Sequence, residues 1–150
     1  MAGIDTIGRL NRIHDQLRHT SSLFPADTNL TWTMTALNTA NTFSNWAEIQ
    51  DSAATKLSAS FATADGHISA VLIETISELD TIYEYEIAWG AAKSIICRGR
   101  FAGGTKFVAP KTYDRIWAPN FPAGELLYYR MKTASAVADT CTAHIRHHSD

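Results

Sequence analysis

The sequence predicts an all-β fold, an antiparallel β-sandwich or barrel, with one amphipathic helix at its N-terminal end. Apolar and polar side chains alternate strictly in several short segments after Pro25, as they do in strands with one buried face. Proline, glycine or polar residues separate these segments, which is typical of antiparallel sheets joined by short connections. The chain has 150 residues, which is enough for one domain with a substantial core.

The N-terminal segment has a period of three to four instead of two. Its apolar side chains recur at that spacing and its charged side chains lie between them, so we expect an amphipathic helix of about four turns. The apolar stripe of this helix consists of Ile4, Ile7, Leu10, Ile13 and Leu17. The stripe must be buried somewhere, either on its own domain or on a neighbouring molecule. We therefore expect a helical arm over 1–20, a linker over 21–28 and a sandwich domain over 29–150.

Eight or so strands are expected in the sandwich domain. In LTWTMTALN, Trp32, Met34 and Ala36 share one face. In TIYEYEIAW, the tyrosines and Ile87 share one face, and Glu84 and Glu86 lie on the other. The further candidate strands are KLSASFA (56–62), HISAVLIE (67–74), SIICRGRF (94–101), TKFVA (105–109), GELLYYRMKT (124–133) and DTCTAHIRHH (139–148).

The segment WAPNFPAGELLYYRMK forms a corner between two of these strands. Pro119 and Pro122 cannot donate to a sheet ladder, so they end the strand that runs through Trp117. Gly124 supplies the backbone freedom for a turn into the next strand. The corner is explained by architecture and needs no catalytic role.

Composition excludes several classes of protein. A net charge of −2 argues against a dedicated nucleic-acid binder, and no apolar run approaches the length of a membrane-spanning helix. The N-terminal segment lacks the continuous apolar core of a secretory signal, so we expect folding in a cytoplasm. Cys97 and Cys141 fall in apolar segments, where two buried small side chains are more typical than a disulfide framework.

Two groups of side chains suggest chemistry, and each has a simpler explanation. In a strand, His144 and His148 of HIRHH share a face but lie about 13 Å apart, too far to chelate one ion, and His147 points to the other face. We therefore expect these histidines to form a solvent-exposed strand end. Glu84 and Glu86 lie about 7 Å apart, as a glycosidase acid/base pair could, but a polar outer face also explains them. Since no nucleophile or phosphate-binding motif is present either, we expect no enzyme, no metal and no cofactor.

Charge is distributed unevenly along the chain. Lys93 to Lys132 contains eight basic and two acidic residues, whereas Asp65 to Glu86 contains six acidic residues and no Lys or Arg. Such regions either complement one another between two copies or pair within one chain. If they meet a partner, the candidate basic contact face consists of Arg98, Arg100, Lys106, Lys111 and Arg115.

The succession of IYEYEIAWGAAKSIICRGRF, RIWAPNFPAGELLYYRMKT and ADTCTAHIRHH resembles that of β-sandwich domains in virion proteins of tailed bacteriophages. In those domains a strand ends in a Gly-Ala-Ala-like turn, a Pro-Ala-Gly corner precedes an aromatic or basic strand, and a strand led by Asp-Thr closes the domain. The segment NTFSNWAEIQDS is similar to their opening strand. The resemblance covers roughly residues 41–148 and excludes the N-terminal helix. It is a pattern of strands and turns without a catalytic residue.

This resemblance implies a jelly-roll-like, non-enzymatic structural protein, most like the decoration or cement proteins that bind the outside of a capsid. The implied partners are the major capsid protein and further copies of the chain in a homotrimer, with no nucleic acid and no membrane. The implied location is the virion, after assembly in the host cytoplasm. A tail-associated domain is an alternative. Another is a receptor-binding or carbohydrate-binding domain that stacks sugars on Trp46, Trp89 and Trp117.

Overall fold

Two antiparallel sheets form a β-sandwich, which confirms the predicted all-β fold. The computed structural model describes residues 21–103, 112–116 and 118–149, and nine strands lie within them. The predicted helix over 1–20, the predicted strand over 105–109 and Trp117 lie outside the described residues. No helix among the described residues is long and apolar enough to cross a membrane.

The first sheet is built around its longest strands. Its order is β1 (Ser22–Phe24), β9 (Thr140–Ser149), β4 (Gly66–Ile76) and β7 (Thr112–Arg115). β2 (Trp32–Thr35) also pairs with β9, nearer the start of that strand than β1 does. β1 lies within the segment that was expected to be a linker, so the sheet already begins there.

The second sheet has the order β3 (Ala47–Glu48), β8 (Leu127–Thr133), β5 (Ile82–Trp89) and β6 (Ser94–Ala102). β5 pairs with both β6 and β8 over nearly all of its length. Among the described residues, β6 has no second neighbour and forms one edge of this sheet.

The core lies between the sheets and follows the alternation read from the sequence. Trp32, Met34 and Ala36 are buried, as predicted, while the threonines between them are exposed. The ring of Trp32 meets that of Tyr129 edge-on, with 5.7 Å between the centroids. The Tyr129 hydroxyl donates to the carbonyl of Thr33 at 3.2 Å. These contacts join β2 of the first sheet to β8 of the second.

The prediction of a strand in KLSASFA was wrong, because the segment contains a 3₁₀ helix over Leu57–Phe61. Leu57 and Phe61 are its buried residues, and their spacing of four fits both the strand period and a helical turn. Phe61 meets Phe121 edge-on at 4.9 Å and the ring of His147 at 5.0 Å. The short helix therefore closes one end of the sandwich.

The proline-rich corner turns the chain as expected. Gly124 has a φ of 77°, which is the left-handed conformation that favours glycine. Phe121 forms a two-bond bridge with Gly66, each amide donating to the other's carbonyl at 2.9 Å. The strand before the corner ends at Arg115. The corner thus places a buried phenylalanine against the first residue of β4.

Candidate functional site: the charged face of the second sheet

The outer face of the second sheet carries two rows of alternating charge. Within each row, a glutamate of the central strand β5 lies between a cation of β6 and a cation of β8. The first row is Arg98, Glu86 and Arg130, and the second is Arg100, Glu84 and Lys132. We call these six residues the charged face. The sequence E-x-E of β5 is thereby matched with R-x-R on one side and R-x-K on the other.

The first row has short contacts around a buried carboxylate. Arg98 donates from Nε to Oε1 of Glu86 at 2.6 Å. Arg130 donates from Nε and Nη2 to Oε2 of the same residue, also at 2.6 Å. Because only 5% of the Glu86 side chain is exposed, these charge-assisted hydrogen bonds compensate for its desolvation.

The second row is more open. The Glu84 side chain is 29% exposed and accepts from Arg100 Nε at 3.3 Å and from Lys132 Nζ at 3.0 Å. Exposed pairs of this kind contribute little to stability. The two rows together hold four cations against two carboxylates, so the charged face keeps an excess of positive charge.

Aromatic rings cover the β8 side of the charged face. The guanidinium of Arg130 lies 4.5 Å from the ring centroids of both Phe43 and Trp46, and Lys132 Nζ lies 4.8 Å from that of Phe43. These are cation–π distances. Both rings come from the segment before β3, which runs alongside β8.

The β6 side of the same face is open. The side chains of Arg98 and Arg100 are 71% and 66% exposed, compared with 30% and 23% for Arg130 and Lys132. An open groove of about 360 Å³ lies here, lined by both arginines, both glutamates and Phe43. Two guanidinium groups, each fixed by a glutamate and open to solvent, can receive carboxylates or other anions from a partner.

The structure divides the predicted basic contact face. Arg98 and Arg100 lie together on β6, but Arg115 belongs to β7 in the other sheet, and Lys106 and Lys111 lie outside the described residues. Pairing within one chain, which was one of the two interpretations of the charge pattern, accounts for the contacts of Arg98 and Arg100 with the acidic strand. The helix stripe Ile4, Ile7, Leu10, Ile13 and Leu17 also lies outside the described residues.

Sequence reasoning missed the β8 half of this face. Arg130 and Lys132 alternate at the same spacing as Glu84 and Glu86, and that matched spacing was the available signal. It becomes informative only once β8 is known to be the neighbour of β5. The position of Phe43 had no signal, because it lies in an irregular segment.

Each of the two carboxylates is paired with cations from both neighbouring strands. Glu86 lies between Arg98 and Arg130, and Glu84 lies between Arg100 and Lys132. Two of the predicted sugar-stacking rings, those of Trp46 and Trp89, contact other residues of the chain. Trp46 is engaged by Arg130, and Trp89 is half-buried against the core.

The histidines near the end of β9 were expected at an exposed strand end. That expectation was wrong, because β9 pairs there with β1 on one side and with β4 on the other. His147 faces the core and is buried. Burial, together with a smaller electrostatic effect of His148, lowers the pKa of His147 from 6.5 to about 4. His148 stacks on His67 with 4.6 Å between the ring centroids, and His144 Nδ1 lies 3.0 Å from a carboxylate oxygen of Glu74. No group of three ligating side chains among the described residues could hold a metal ion.

The cysteines lie in different sheets and do not form a disulfide. Cys141 is buried, and its burial raises the pKa of the thiol to about 12. Cys97 lies half-buried on the edge strand β6. A disulfide framework is therefore not part of this fold.

Comparison with known proteins gives no relative: no family model matches the chain, and no curated protein or solved structure matches it.

Proposed function

We propose that this chain is a non-enzymatic structural protein of a tailed-phage virion that decorates and stabilises the capsid. The observation that supports the proposal best is the charged face, where Arg98 and Arg100 are exposed but held in place by glutamates. The virion assignment itself comes from the resemblance of the strand and corner pattern over residues 41–148. The major capsid protein and further copies of the chain are the proposed partners.

A fixed, positively charged face suits the docking of a small protein on a larger acidic surface. Charge complementarity orients the two surfaces and speeds their encounter more than it adds affinity. In a homotrimer, three such faces would meet three equivalent sites on a symmetric shell. Simultaneous engagement then raises the overall affinity, although each individual contact is weak.

The helix stripe of residues 1–20 is the second proposed contact. Its apolar side chains Ile4, Ile7, Leu10, Ile13 and Leu17 need a surface to cover them, and a neighbouring copy or the shell would supply one. Deletion of 1–20 should leave the sandwich folded, with an unchanged circular dichroism spectrum of its strands, and abolish assembly. A truncated chain that still decorates particles normally would contradict this part of the proposal.

Co-sedimentation with phage shells tests the function directly. Shells assembled from the major capsid protein of the same phage are mixed with increasing amounts of the purified chain and pelleted. If the chain decorates the capsid, binding should saturate at a fixed stoichiometry. Light scattering should then show a trimer in solution or on the shell. Binding to purified tails instead of shells would move the protein to the tail. Binding to neither would overturn the virion assignment.

A further inference from the structure

Within the part of the chain that the structure describes, β6 has no strand on the side away from β5, and that edge presents backbone hydrogen-bonding groups beside the open arginines. In an antiparallel pair, residues alternately direct their N–H and C=O groups toward the partner strand and away from it. Gly103 donates to Thr81 at 2.9 Å and continues the β5–β6 register, in which Ala102 pairs with Ile82. Because Gly103 directs its backbone groups toward β5, Phe101 and Gly99 do so as well. The residues that alternate with them, Arg100 and Arg98, direct their backbone groups away from β5. The two most open cations of the face thus also carry the free groups of the edge.

Charge alternates across the sheet and ends on a cation at this edge. From β8 through β5 to β6, both rows of the charged face read positive, negative, positive. A further strand would lie about 4.8 Å beyond β6, with side chains on this face repeating about every 7 Å. Acidic side chains at alternate positions of that strand would stand opposite Arg98 and Arg100, and opposite charges directly across a ladder stabilise strand pairing.

A second copy of β6 fits this edge poorly in the register centred on Gly99. Two β6 strands pairing antiparallel around Gly99 would place the arginines of one copy against those of the other. Like charges directly opposite one another destabilise a strand pair. An acidic segment from a different chain would instead complement both arginines.

We propose that β6 binds an extended segment of a partner protein, which adds to the second sheet as an antiparallel strand and carries Asp or Glu at alternate positions. The inference deepens the proposed function, because it names the chemistry of the partner segment that would dock at the charged face. Main-chain hydrogen bonds would supply the affinity, and the two arginines would select the acidic register.

The probe is a fluorescent peptide of the length of β6 that alternates valine and glutamate, with binding to the full chain followed by anisotropy. A peptide of the same composition with its glutamates in one block is the sequence control. We expect the alternating peptide to bind more tightly. The double variant R98Q/R100Q should weaken its binding about tenfold, as expected for two cross-strand charge pairs. The double variant K56Q/R146Q changes the net charge equally but lies outside the charged face, with Lys56 paired to Glu48 and Arg146 on β9 of the other sheet, and should weaken binding less than about twofold.

N-methylated peptides separate strand addition from simple charge attraction. Opposite Arg98 and Arg100, the glutamate amides face β6 and the valine amides face away. Methylation of the glutamate amides should therefore abolish binding, and methylation of the valine amides should preserve it. Equal effects of the two methylations would overturn the proposal. Equal binding of the alternating peptide and of the control peptide, which has its glutamates in one block, would overturn it as well. A failure of all peptides to bind would also overturn the proposal. The arginines would then prevent strand pairing at this edge.

The peptide assay needs no phage particle, so the two proposals can fail separately. If the chain decorates shells but does not bind the alternating peptide, strand addition alone would be refuted. A chain that binds the peptide but neither shells nor tails would retain the strand-binding edge and lose the virion assignment.

Discussion

Acid should weaken the fold through His147, a side chain of β9 that faces the core. The residue is 6% exposed, lies between Ser22 of β1 and Ile68 of β4, and contacts the ring of Phe61. Its Nδ1 is buried without a hydrogen-bond partner. A proton added to the imidazole would place a charge in this apolar environment, and the electrostatic effect of His148 also opposes that charge.

The expected size follows from proton linkage. The pKa of His147 is about 4 in the folded protein, against an ordinary value of 6.5 that applies to the unfolded chain. The unfolded state therefore binds the proton more tightly, so stability is complete above about pH 6.5 and falls as the pH decreases toward 4. At about 1.4 kcal/mol per pH unit, the loss from this residue is about 2 kcal/mol by pH 5 and about 3 kcal/mol by pH 4.

Urea unfolding at pH 7, 6 and 5 measures this loss, with His147→Leu as the reference. Leucine has a similar volume and does not titrate, so other acid effects are shared by both proteins and cancel in the comparison. We expect the stability of the variant relative to wild type to rise by about 2 kcal/mol between pH 7 and pH 5. A difference that stays constant over this range would refute the argument that burial of His147 controls its protonation.

Three further results are expected. Gly66→Ala should lower the free energy of unfolding in urea by about 1–3 kcal/mol, because the added methyl would overlap two phenylalanine rings, and an unchanged midpoint would contradict the close packing. Glu86→Gln should cost about 2–4 kcal/mol by the same measurement, because its carboxylate is buried between two arginines, whereas Glu84→Gln should cost less than about 1 kcal/mol; equal losses would be inconsistent with the difference in burial. An aromatic disulfide reagent should modify Cys97 before Cys141 in the native protein, and mass spectrometry of early time points would reveal the opposite order.

Much of the fold could be predicted from the sequence, because alternation over many residues specifies both a strand and its buried face. Trp32 and Met34 on β2, and Tyr83 and Tyr85 on β5, face the core as their spacing indicated. Short elements carry too little pattern for such an assignment. β1 has only three residues, and the two apolar residues of the 3₁₀ helix have a spacing that fits either period.

The candidate site was only partly predictable, because strand order is not written in any local pattern. Glu86 was expected on a polar outer face, and it does lie there, but Arg98 and Arg130 from both neighbouring strands bury its carboxylate. His147 was expected at an exposed strand end, yet the neighbours of β9 enclose it. Both differences arise from pairings between segments far apart in the chain.

The central claim is that the open arginines of the charged face dock this chain on its partner. Its most direct test compares the co-sedimentation of wild type, R98Q/R100Q and K56Q/R146Q with shells of the same phage, at equal protein concentration and low salt. The account predicts that R98Q/R100Q loses most of the bound protein, while K56Q/R146Q, whose changes lie outside the charged face, pellets like the wild type. Equal pelleting of all three proteins would show that docking does not use these arginines and would contradict the account.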